Sequence, residues 1–363
     1  VAMASPAFAQ GDDIPRTPSG RPDLSGTYDT ATVTPLQRPR EFGERMSLTA
    51  EELAVIQGDP DGLAQVFNLA PAGSDEREAV RNNETVAGFE TGDGNREAPP
   101  AGGDGSGGAA GNVGGYNTFW IDRGDDGFMI DGEYRTSIII DPTDGRQPPR
   151  TEAWRAAAAA QAGSFRENTG TAWWLEDDLD APGPYDNPED RPHAERCLMG
   201  FGSTAGPPML SVLYNNMKRI VQTEDTIMIL VEMVHDARVI RMNAEHEPSE
   251  IRRWLGDSIG WWEGDTLVVD TTNFTENPSL GGATRDLHVV ERFSRIDADT
   301  LLYNFTVEDP NVWTAPWTGE YIWPVSEHKV YEYACHEANY SFGGILRGAR
   351  VLEEDARKAA GQQ

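Results

Sequence analysis

The chain has 363 residues, with 38% hydrophobic and 25% charged, enough to bury a core in one large or two modest domains. Sixty acidic residues stand against thirty basic ones, a formal charge of −30. That balance excludes partners gripped through clustered Lys and Arg, such as nucleic acid or an anionic membrane surface, and it favours solubility and a saline habitat.

In chain order, residues 1–10 read VAMASPAFAQ, and Ala7-Phe8-Ala9 before Gln10 has the small-x-small form of a signal cleavage site. No other apolar run reaches the ~18 residues of a membrane span, so a soluble periplasmic or extracellular protein is expected. Residues 11–70 form an N-terminal arm and helix. From Arg16 to Pro39 the Pro- and Gly-punctuated text predicts an extended arm lying on the body. Thr49 and Glu52 make a capping box that starts a short helix. Residues 71–115 are polar and Gly-rich, and they predict a flexible loop without a phosphate-binding signature.

Residues 116–345 carry the β signals. Phe119-Trp120-Ile121 and Arg135–Ile140 read as strands, and Thr151 caps a helix that runs to Ala162 and stops at Gly163. Strands then follow near 218–223, 226–234, 237–242, 258–263, 266–272, 287–295, 300–308 and 329–336, mostly joined by tight polar turns. Trp313, Trp317, Tyr321 and Trp323 fall in a stretch that Pro316 and Pro324 make loop-like. Residues 346–363 read as a helical tail. The fold class is therefore mainly β: a C-terminal antiparallel up-and-down barrel or strongly curved, lipocalin-like sheet, with an extended arm and a few short helices.

Several long phrases resemble a large family of exported bacterial proteins of unknown function. They include GRPDLSGTYDTATVTPLQRP at 20–39, GPPMLSVLYNN at 206–216, WEGDTLVVDTTNF at 262–274 and YEYACHE at 331–337. The resemblance covers most of the chain outside 55–115. It implies export and one architecture that unites arm and barrel, and it carries over no functional residue.

Alternation puts Leu287, Val289, Glu291 and Phe293 on one face, and Val330, Glu332, Ala334 and His336 on another. Carboxylates in such apolar rows point into a barrel, where desolvation suits them to acid–base work. Glu291, Glu332, His336 and His235 are thus the candidate catalytic residues, with pairing to an arginine such as Arg238 or Arg292, or a position facing solvent, as the structural alternatives for the glutamates. Arg238 is expected to hold an anionic group of a substrate, with Asp270 beside it in the binding set. Trp254, Trp261, Trp262, Trp313 and Trp317 offer flat faces for a sugar or a cyclic apolar compound, or simple packing. Cys197 and Cys335 are a disulfide candidate in an oxidising compartment, or two buried thiols.

Six histidines, His193, His235, His246, His288, His328 and His336, form no close ligand pair, so no metal site is expected. No nucleophile elbow or dinucleotide fingerprint is present, and no cofactor is expected. The expected function is a cofactor-independent lyase, isomerase or hydrolase acting on a small molecule, with a non-catalytic, lipocalin-like binding protein as the alternative.

Overall fold

The computed structural model describes residues 14–58, 62, 66, 67, 124, 126–164, 170–200, 202–212 and 214–361. The signal-like residues 1–10, the Gly-rich tract 71–115 and the strand expected at 119–121 lie outside them. The elements in chain order are β1 (Gly26–Asp29), α1 (Ala50–Gly58), β2 (Met129–Ile130), β3 (Glu133–Tyr134), β4 (Ile139–Asp141) and α2 (Glu152–Ser164). Then come β5 (Met217–Gln222), β6 (Thr226–Val231), β7 (Ala237–Met242), β8 (Asp257–Glu263), β9 (Thr266–Thr272), β10 (His288–Arg295), β11 (Thr300–Glu308) and β12 (Trp317–Pro324). The helices α3 (Cys335–Ala338) and α4 (Tyr340–Ala360) close the chain.

Ten strands make one curled sheet in the order β1-β5-β6-β7-β8-β9-β10-β11-β12-β4, a half-barrel. Tight turns enforce most of the antiparallel pairing; at the β8–β9 hairpin Glu263 faces Thr266, and Gly264 supplies the left-handed conformation with φ +63°. One step departs from the expected up-and-down order. β7 and β8 pair in parallel, so the chain between them must cross back along the sheet. The curl is strong enough that Tyr28 bridges Val325, and Ser326 N–H donates to Thr27 O at 2.8 Å, just past the end of β12.

Period-two alternation fills the inside. Val289, Phe293, Tyr303, Phe305, Trp317, Tyr321 and Trp323 are all fully buried. The Tyr303 and Trp323 rings lie 4.7 Å apart, and Phe305 occupies the space above Gly319 that a larger side chain would need. Each such ring contributes about 2–3 kcal/mol by leaving water. Where the sequence suggested a lipocalin-like chamber, aromatic side chains occupy the interior.

Two segments exchange roles relative to the sequence reading. The strand expected at 329–336 is an irregular strap followed by α3, and the loop expected around Trp317–Trp323 is β12. Pro316 precedes β12 and Pro324 is its last residue, so neither interrupts the ladder. The caps at Thr49 and Thr151 form as expected: Glu52 N–H donates to Thr49 Oγ1, Thr49 N–H to Glu52 Oε2, and Trp154 N–H to Thr151 Oγ1.

Candidate functional site

Inside the curl, Arg238 on β7 and Glu291 on β10 both point inward and meet as a buried bidentate pair. Arg238 also donates to Ser258 Oγ at 3.0 Å and Thr271 Oγ1 at 3.1 Å, while Tyr303 Oη donates to Glu291 Oε1 at 2.7 Å. Burial, and then the negative charge of Glu291, push the Tyr303 hydroxyl well above its ordinary range, so it remains a donor. The chain thus realises the structural alternative for Glu291. Its carboxylate is saturated and sealed from solvent, and Arg238 has no free edge for a substrate anion.

On the outer face, strand register assembles a different set. Ile259 and Val290 flank Asp270, and one pair further along stand Asp257 on β8 and His288 on β10. The β7–β8 crossover lays His246 over them. His246 Nδ1 lies 3.0 Å from Asp257 Oδ2 and its Nε2 2.8 Å from Asp270 Oδ1. His288 Nε2 lies 2.9 Å from the other oxygen of Asp270, and His288 Nδ1 is 3.8 Å from Glu308 Oε2. Arg241 donates to both oxygens of Asp257 at 2.9 and 3.0 Å, and Glu247 N–H donates to Asp257 Oδ2. The result is an alternating chain of carboxylates and imidazoles across five adjacent elements. Both contacts of His246 are hydrogen bonds only when both ring nitrogens carry protons.

The electrostatics follow from these contacts. The hydrogen bond to Asp270 raises His288 above the ordinary histidine value against the opposing effect of burial. Burial alone would raise Asp270, but its bonds to His288 and His246 bring it below the usual carboxylate value. Asp257 behaves likewise: burial is outweighed by Glu247 N–H, His246 and Arg241. Further along the same face, Trp261 stands over Val268, its indole N–H donates to Glu263 at 3.1 Å, and Arg292 also holds Glu263.

The other expected residues do not converge on either group. Glu332 and His336 are exposed on the strap and α3, because no strand turns them inward. His235 lies in the β6–β7 connection, where its Nδ1 faces Tyr333 O at 3.2 Å; Asp236 does not orient it. Trp313 and Trp317 are buried in the aromatic core, 5.7 Å apart, and present no face to a ligand. Trp254 is half-exposed with its ring tilted 5.3 Å from that of His193, and Trp262 packs against the core under Arg21. Cys197 and Cys335 are disulfide-bonded, with Cα atoms 5.7 Å apart.

His246 and His288 carried no sequence signal as a pair. They are far apart in the chain, one on a crossover loop, and only the β9–β10 register places His288 beside Asp270. Comparison with protein-family models, curated proteins and solved structures found no match for this chain.

Proposed function

We propose that the protein is an exported enzyme that works without a redox cofactor, by carboxylate–histidine acid–base catalysis on the outer face of the curled sheet. The observation that carries this reading is the meeting of two imidazoles on the two oxygens of one carboxylate, Asp270, at 2.8 and 2.9 Å. Perturbed titratable groups concentrated at one place are a functional-site signature.

Within the reading, each side chain has a role. Asp270 orients His288 through Nε2 and stabilises its imidazolium, as an aspartate does for a catalytic histidine. His288 Nδ1 lies 3.8 Å from Glu308, an ion pair longer than a direct hydrogen bond, so a substrate oxygen can compete for its N–H. After that proton is given up, Nδ1 recovers one from water, so His288 serves as acid and then base. His246 ties Asp270 to Asp257 and keeps the carboxylate from turning. The half-buried side chains of Ile259 and Val290 form an apolar middle, and Trp261 with Glu263 and Arg292 forms a plate and polar rim further along the strands. That sequence of surfaces suits a carbohydrate or a cyclic apolar compound carrying a polar leaving group.

The test is a turnover screen of chromogenic glycosides, esters and cyclic lactones, with wild type, His288→Gln and Asp270→Asn. Both variants should lose about 10²-fold or more in kcat while melting within a few degrees of wild type. A folded His288→Gln protein with full turnover, or no turnover of any substrate by wild type, sinks the reading.

A further inference from the structure

We propose that the cleft between the outer face of β1–β5–β6 and the strap 326–332 is a separate small-molecule binding site, for a ligand with an apolar body and one anionic group. The cleft is open to solvent and measures about 830 Å³, room for a small organic molecule. Its floor is a single row across three strands, with Thr27 opposite Arg219 and Arg219 opposite Leu230. Its roof is built from Val330 and Tyr331, with Lys329 at the edge and His235 in the wall.

The roof is held in place before any ligand arrives. Ser326 N–H donates to Thr27 O at 2.8 Å, Tyr331 N–H to Glu232 Oε1 at 3.0 Å, and the disulfide at Cys335 anchors the far end. The wall is strained. Val234 and His235 are consecutive left-handed residues with φ 57° and 46°, a conformation that a β-branched valine adopts only under constraint. Such strain is retained where a side chain must be held in a particular place, and here it sets His235 into the cleft.

Charge selects the ligand class. Arg219 donates to Thr27 Oγ1 at 2.9 Å, and neither it nor Lys329 pairs with a carboxylate among the described residues. In a chain with twice as many acids as bases, the two other outward arginines of the sheet strands, Arg241 and Arg292, both find carboxylates. Of the three glutamates that line the cleft, Glu232 is buried and already engaged by the strap through Tyr331 N–H. Glu327 and Glu332 lie on the exposed strap. Arg219 is left as the cation on the floor, beside Leu230.

Calorimetry with decanoate, decanol and decylamine tests the assignment. Wild type should bind decanoate at least tenfold more tightly than decanol or decylamine. Arg219→Gln keeps a donor for Thr27 and should lower decanoate affinity about tenfold, leaving decanol unchanged and the melting temperature within a few degrees. Lys329→Gln should give a smaller loss. Equal binding of decanol, preference for decylamine, absence of decanoate binding, or an Arg219→Gln protein that binds decanoate like wild type each overturns it. The outcome is independent of His288, since that residue lies on other strands.

Discussion

Lys218 is the most unusual side chain in the molecule. It points into the curl, is fully buried, donates to Thr30 Oγ1 at 3.2 Å and lies 5.9 Å from the Trp323 ring. Burial pushes it from 10.5 down to about 7, and the charges of Asp29 and Glu232 offset this only in part. Between those two values the unfolded chain binds the extra proton, so this residue makes stability rise from pH 7 towards pH 10. The cost at pH 7 is on the order of 4 kcal/mol. Lys218→Met should therefore raise the urea midpoint at pH 7 and remove the alkaline rise; a lower midpoint at both pH values contradicts this. His288 acts in the opposite sense. Its raised value gives stability that is complete below the ordinary histidine range and lost as pH climbs through the folded value. His288→Gln should accordingly steepen the net alkaline rise, which the same pH series would show. Glu291→Gln is the severe substitution, costing about 3–5 kcal/mol, because it leaves the buried Arg238 without its counter-charge. Glu291 was legible because its row is apolar, and its partner was among those the sequence could name. The His246–Asp270–His288 group was not legible, because it depends on strand register and on where a crossover loop falls.

At the scale of elements, local rules worked where a strand's neighbours are close in sequence. From β5 to β11 the strand boundaries follow turn chemistry within three residues, the largest miss being β6, expected to run to 234 and ending at Val231. They failed at the last strand, where Trp317–Pro324 and 329–336 compete for one edge. Both alternate, but only the first offers Trp317, Tyr321 and Trp323 to the core, and burial decides the contest. Helix α1 shows the reverse case. It buries no residue fully and packs only the half-buried Leu53 and Ile56 against the Phe42–Tyr134 cluster, so its capping box and the Arg45–Glu52 bonds at 2.5 and 2.7 Å add to a small packing term. Thr49→Ala should cost about 1 kcal/mol locally. Amide exchange across 50–58 should speed up several-fold with the global melting temperature unchanged; a large drop in that temperature would mean α1 belongs to the cooperative core.

For the whole molecule, two long-range terms act on top of the core. The Cys197–Cys335 bond closes a loop of 138 residues and ties the strap's far end to the body. The second is charge. With 60 acids and 30 bases, the acidic charge exceeds the Lys and Arg charge by 30, even though single arginines such as Arg241 and Arg350 hold two carboxylates each. Salt then acts in two directions. It screens attractive surface pairs such as Arg16–Asp265 and Arg350–Asp186, which are weak because water already surrounds them. It also screens repulsion among the unpaired acids, which extends over about 10 Å at 0.1 M and about 3 Å at 1 M. The excess of one sign makes the repulsive sum the larger, and the pairs that matter most, Arg238 with Glu291 above all, are buried beyond the reach of ions. The melting temperature should rise between 0.05 and 1 M sodium chloride, and choline chloride should match it, since screening depends on ionic strength and not on which cation supplies it. A flat or falling curve would show that the surface pairs outweigh the self-repulsion of the acidic shell.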